Sequence, residues 1–139
     1  MTDTITLFVY GSLRPGLPLW PWLEHTAEAV RDEATTHGAL WMVKGGSYPW
    51  LTKGGEKNVV GTLVTVPVDE TFARLVNVEI GAGYELGFAP CWHEGQVVNA
   101  LLFRYPHVYE GFVRVPGQDW STWTKRVEDY DPRDWERLA

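Results

Sequence analysis

The sequence predicts an α+β fold: a small, mixed, β-barrel-like sheet with a few packed helices. Three observations carry this. Apolar runs of strand length outnumber segments of helical periodicity. The connections between most of those runs are short and marked by Gly and Pro. At 139 residues the chain has the length of one domain, so residues 1–139 read as a single domain with one core.

In chain order, Ile5–Tyr10 is β-branched and aromatic and reads as a buried first strand. Gly11–Pro18 holds two Gly and two Pro and reads as a loop. Trp20–Glu24 reads as a short helical turn, and Gly38–Val43 as a strand leading into a Gly45–Pro49 turn. Val59–Val66 is the clearest strand, ended by Pro67. Asp69 then offers an N-cap for a helix over Glu70–Val78. Gly81-Ala82-Gly83 breaks that helix. Phe88–His93 and Val97–Tyr105 read as two strands joined by the hairpin turn Glu94-Gly95-Gln96. Trp120–Val127 reads as a helix capped by Asp119, and Asp131-Pro132 as the start of a last short helix through Trp135 and Leu138.

Bulk properties exclude several functional classes. Acids outnumber bases 18 to 12, giving a net charge of −6, and no basic run exists. A nucleic-acid partner is therefore not expected, because phosphate binding depends on clustered Lys and Arg. No apolar stretch approaches the ~18 residues that cross a bilayer, so no membrane partner is expected either. A single cysteine, Cys91, forbids an intrachain disulfide, and no positively charged signal region opens the chain. The expected compartment is the cytoplasm.

Two features bear chemistry, and each reads two ways. The Tyr10–Gly16 loop is either a structural turn after the first strand or a nest of outward backbone N–H groups for a carboxylate or carbonyl oxygen. It lacks the Gly-Lys-Ser/Thr of a phosphate loop and the Gly-x-Ser-x-Gly of a nucleophile elbow. Glu79 lies at helical spacing from Phe72, Leu75 and Val76, which puts it on an apolar stripe. It is either a surface carboxylate at a fraying helix end or an acid–base group whose pKa desolvation raises. Cys91-Trp92-His93 has no partner pair, so no metal site is expected. A Cys91–His nucleophile would have to sit inside a strand. The eight Trp read as core and groove lining.

Phe8-Val9-Tyr10-Gly11-Ser12-Leu13-Arg14-Pro15-Gly16 resembles the opening signature of the gamma-glutamyl cyclotransferase-like family: a strand ending in Tyr-Gly-Ser/Thr-Leu, then Lys or Arg, then Gly. The likeness continues in order. Gly38-Ala39-Leu40-Trp41, Gly46-Ser47-Tyr48-Pro49 and Val60-Gly61-Thr62-Leu63-Val64 resemble the family's next motifs. Leu75-Val76-Asn77-Val78-Glu79 resembles its Leu-Asp-x-x-Glu, with Glu79 on the catalytic glutamate. Tyr84, Ala100–Phe103 and Gly117-Gln118-Asp119-Trp120 follow. The likeness spans about residues 5 to 123. It departs at Val76, Ile80 and Glu85, where the family pattern has Asp, Gly and often Arg.

The resemblance implies a barrel-like α+β fold with a cavity beside the Tyr-Gly-Ser-Leu loop. It implies a small-molecule γ-glutamyl substrate whose α-amine attacks its own γ-carbonyl, giving 5-oxoproline and a free amine or amino acid, with no cofactor. Glu79 would move the proton, while Tyr10, Gly11, Ser12, Leu13, Tyr84 and Tyr105 would bind and position the substrate. Two other readings stand beside it. One is a non-catalytic small-molecule binder on the same scaffold, motivated by the three departures. The other is an interaction protein using the Trp20-Pro21-Trp22 segment. The leaving amine and the oligomeric state are not legible.

Overall fold

The computed structural model describes residues 3–17, 19–43, 49–54, 58–108 and 111–120. Five strands close a barrel: β1 (Thr4–Val9), β5 (Asn58–Pro67), β2 (Ala29–His37), β6 (Glu85–His93) and β7 (Gln96–Arg104), in that spatial order. Four contacts around the ring are antiparallel. The fifth, between β7 and β1, is parallel and joins Leu7 to Leu101. A second sheet of three short strands places β3 (Ala39–Val43) between β4 (Trp50–Thr52) and β8 (Phe112–Arg114). Two helices, α1 (Pro21–Glu24) and α2 (Glu70–Gly81), complete the regular structure, with a 3-10 turn at Pro116–Gln118.

Side-chain alternation sorts the core into two clusters. Phe8, Ala34, Val59, Leu63, Cys91, Ala100 and Leu102 come from all five barrel strands and fill the lumen, where Leu40 and Leu51 of the second sheet join them. Their neighbours along the strands, Leu7, Val9, Val64, Val66, Leu101 and Phe103, point the other way. They pack under Leu19, Leu23 of α1 and Leu75 of α2. Strands buried on both faces need unbroken apolar runs, which is why β1, β5 and β7 are so apolar.

The mixed barrel with packed helices agrees with the predicted fold class. Asp69 caps α2 as expected, its Oδ1 accepting a hydrogen bond from the Phe72 amide at 3.0 Å. The helix runs three residues beyond Val78, to Gly81. The hairpin Glu85–Arg104 begins three residues earlier than the apolar run at Phe88. Three strands were not expected from the sequence, namely β2, β4 and β8. In β2 a bulge between Arg31 and Ala34, with Glu33 at φ 60°, breaks the two-residue alternation over a charged Arg31-Asp32-Glu33 run. The other two are only three residues long. Residues 45–48 of the expected Gly45–Pro49 turn, all but Trp120 of the Trp120–Val127 helix, and the last helix lie outside the described residues.

Candidate active site

The chain leaves β1 at Tyr10 and turns at once, the Arg14 amide donating to the Gly11 carbonyl at 3.1 Å. The Leu19 amide then donates to the Ser12 carbonyl at 3.0 Å. Both carbonyls are thus engaged within the loop. Tyr10 is buried, and its hydroxyl donates to the Phe103 carbonyl of the neighbouring strand β7.

Arg14 anchors this loop from behind. Its side chain is 5% exposed and does not reach the cavity wall. Nη1 lies 2.8 Å from Asp119 Oδ1, Nη2 lies 3.1 Å from Asp32 Oδ1, and Nε donates to Thr62 Oγ1 at 3.2 Å. The Thr62 hydroxyl in turn donates to Asp32 at 2.6 Å. Burial alone would raise the Asp32 carboxyl. The bonds from Thr62, the Glu33 amide and Arg14 outweigh it and hold that carboxyl below its ordinary value. A lone arginine in a glycine-rich loop gives no sequence signal that it points inward.

Opposite the loop, the last turn of α2 presents Glu79, half-buried. The Ala82 and Tyr84 amides both donate to the Glu79 carbonyl and close the helix end. Gly83 at φ 98° reverses the chain and sends Tyr84 back across the site. The Tyr84 hydroxyl donates to the Pro49 carbonyl at 2.8 Å.

These parts enclose a cavity of about 490 Å³. Tyr10, Gly11, Ser12, Leu13, Glu79 and Tyr84 all lie on its wall, so six of the seven residues singled out from sequence share one space. Glu79 is the charged side chain on that wall among the described residues. It is close enough to act on Tyr10: burial first, then the Glu79 charge, push the phenol well above its ordinary value, against an opposing backbone hydrogen bond at Leu51. Tyr10 is therefore a neutral donor. Tyr105 is not on the wall. It packs edge-on against Tyr84, with centroids 5.5 Å apart, and against Trp50 at 6.0 Å. Pro49, Trp50 and Asn77 line the cavity without having been expected there. Pro49 and Trp50 reach it through the β3–β4 pairing, which no local pattern announces.

The other candidates fall elsewhere. Cys91 is fully buried in the lumen, and burial pushes its thiol up despite a hydrogen bond with Thr36. No group of three His, Cys, Asp or Glu among the described residues stands ready to hold a metal. No helix among them is long and apolar enough to cross a membrane. Trp20 and Trp22 are half-buried and pack on the α1–α2 side of the core. The three departures all lie off the cavity wall: Ile80 is 53% exposed, Glu85 is exposed, and Val76 packs into the core under α2.

Comparison with known proteins follows the same lines. A family model described as gamma-glutamyl cyclotransferase, AIG2-like, matches residues 7–122. A search of curated proteins gives no match. Among solved structures, c4763, a protein specific to uropathogenic E. coli, superposes with a TM-score of 0.67 at 21% identity, covering 93% of this chain and 99% of its own. An AIG2-like protein from Mus musculus gives 0.62 at 21%, covering 95% and 93%. PH0828 from Pyrococcus horikoshii gives 0.61 at 24%, covering 86% and 92%. At these identities the structural likeness speaks for the fold.

Proposed function

The chain belongs to the gamma-glutamyl cyclotransferase, AIG2-like family, and from that premise we propose that it cleaves a γ-glutamyl amide by cyclisation. The observation that carries the reading is the sharing of one cavity by the Glu79 carboxylate and the Gly11–Leu13 loop.

The α-nitrogen of the γ-glutamyl group attacks its own γ-carbonyl carbon, forming a five-membered ring. The bond from that carbon to the leaving nitrogen then breaks. An α-ammonium has no lone pair, so it must first lose a proton, and Glu79 accepts it. The leaving nitrogen departs only as a neutral amine, and Glu79 returns the proton there, while the second proton that the attacking nitrogen sheds in becoming the ring amide passes to solvent. The products are 5-oxoproline and a free amine, with no water consumed. Intramolecular attack already carries a high effective molarity, so the residues need supply only orientation and proton transfer.

Charge builds on the carbonyl oxygen as the nitrogen adds. Backbone N–H groups at Gly11–Leu13 stabilise it. The engagement of the Gly11 and Ser12 carbonyls within the loop supports this role, since it keeps acceptors from facing an anion. Tyr84 fixes Pro49 against the loop and shapes the site, and Tyr105 positions Tyr84 from behind.

Incubation with γ-glutamyl amides, following 5-oxoproline by chromatography, tests the reading. Glu79→Gln keeps shape and hydrogen-bonding capacity but cannot shuttle a proton, so turnover falls ~10²–10⁴-fold with binding retained. Unchanged turnover in that variant overturns the assignment of the base.

A further inference from the structure

The cavity wall is chemically two-sided. Glu79, Asn77 and the Gly11–Ser12 backbone supply polar groups, while Leu13, Leu19, Val78, Pro49, Trp50 and Phe103 supply an apolar surface. A γ-glutamyl group brings an ammonium and a carboxylate, both of which need polar partners. At about 490 Å³ the space also has the size of a drug-like ligand site. The apolar part of the wall is therefore left for whatever is attached beyond the γ-carbonyl.

Trp50 is braced there by two other rings. Phe112 stacks on it with centroids 4.9 Å apart and planes 18° from parallel. Tyr105 meets it edge-on at 6.0 Å and packs in turn against Tyr84. Tyr84 closes the circuit by donating to the carbonyl of Pro49, the residue before Trp50. A ring braced this way loses little freedom on binding, and rigid aromatic surfaces favour flat partners.

We propose that Trp50, backed by Phe112 and Tyr105, is the specificity-determining residue of a leaving-group subsite. The substrate class is then a γ-glutamyl amide of an amine bearing an aromatic or similarly flat apolar group. This rests on the cyclotransferase reading for the identity of the γ-glutamyl end.

Affinity tests the subsite without relying on turnover. In the Glu79→Gln background, calorimetry compares γ-glutamyl-benzylamide with γ-glutamyl-cyclohexylmethylamide, which differ in ring flatness but not in carbon skeleton. The benzyl compound binds about fivefold tighter, the scale of one offset ring pair. Trp50→Leu brings the ratio to one, and Trp50→Phe retains most of it. Equal affinities in the Glu79→Gln protein, or a ratio that Trp50→Leu leaves intact, overturn the subsite. A retained preference in a protein whose Glu79 parent releases no 5-oxoproline upholds the subsite and removes the cyclotransferase reading instead.

Discussion

Gly11 and Ser12 are neighbours on the cavity wall, yet a substitution at each meets different surroundings. A Cβ on Gly11 would lie 3.0 Å from both Cδ and Cγ of Pro49. Its backbone is outside the left-handed region, so what Gly11 provides is space rather than conformational freedom. Gly11→Val forces a branched side chain against Pro49, whose carbonyl receives the Tyr84 hydroxyl. Ser12→Ala keeps the backbone amide in place. Gly11→Val should weaken 5-oxoproline affinity by about tenfold or more, the equivalent of ~1–3 kcal/mol of overpacking. Ser12→Ala should change it by about threefold at most. Calorimetric titration of both variants decides it, and the reverse order would point to the Ser12 hydroxyl as the working group. Arg14 offers a second test at this scale. Arg14→Lys keeps the charge but loses the planar fork that reaches Asp32, Asp119 and Thr62 together. It should lower stability in urea by about 1–3 kcal/mol, below the usual range for a fully buried pair because Asp32 is half-exposed.

Gly61 shows how closely the elements approach one another. A Cβ there would lie 2.5 Å from Phe8 Cζ and 2.6 Å from the Val9 carbonyl oxygen, where β5 pairs with β1. A backbone atom cannot step aside as a flexible side chain does. Gly61→Ala should therefore destabilise the barrel by about 1–3 kcal/mol or more, read as a lower urea midpoint, and an unchanged midpoint would mean that the two strands separate freely. The same packing explains what was legible in the sequence. β1, β5 and β7 are covered by the lumen on one side and the helices on the other, so their apolar runs are continuous. β2 exposes much of its length and is interrupted by a bulge, so neither alternation nor a run marks it. Glu79 was legible because α2 follows ordinary capping and periodicity. Pro49 and Trp50 were not, because their place at the cavity depends on a three-residue strand found only through its partner β3. The inward turn of Arg14 was hidden for the same reason: its partners lie 18, 48 and 105 residues away.

At the scale of the whole molecule, the Arg14 group ties together the loop, β2, β5 and the segment after the 3-10 turn. One buried cation thus couples four stretches of chain that are far apart in sequence. The tie depends on Asp32 being ionised. Its carboxyl is lowered in the folded protein, so it binds a proton more readily once the chain unfolds. Its stabilisation is therefore fully present above the ordinary carboxyl range and is lost as pH falls below about 4, through the folded value. Asp32→Asn removes the charge at every pH. At pH 7 the variant should unfold at a lower urea concentration than the parent, by an amount on the order of 1 kcal/mol or less after solvent screening. As pH falls below about 4, the parent loses the same contribution and the two midpoints should converge. The comparison separates the Arg14–Asp32 tie from the general effect of acid, because carboxylates away from Arg14 keep the same surroundings in both proteins. A gap that stays constant from pH 7 into the acid range would show that the substituted amide disturbs the fold by its shape, and that the charge of Asp32 contributes nothing to holding the loop against the barrel.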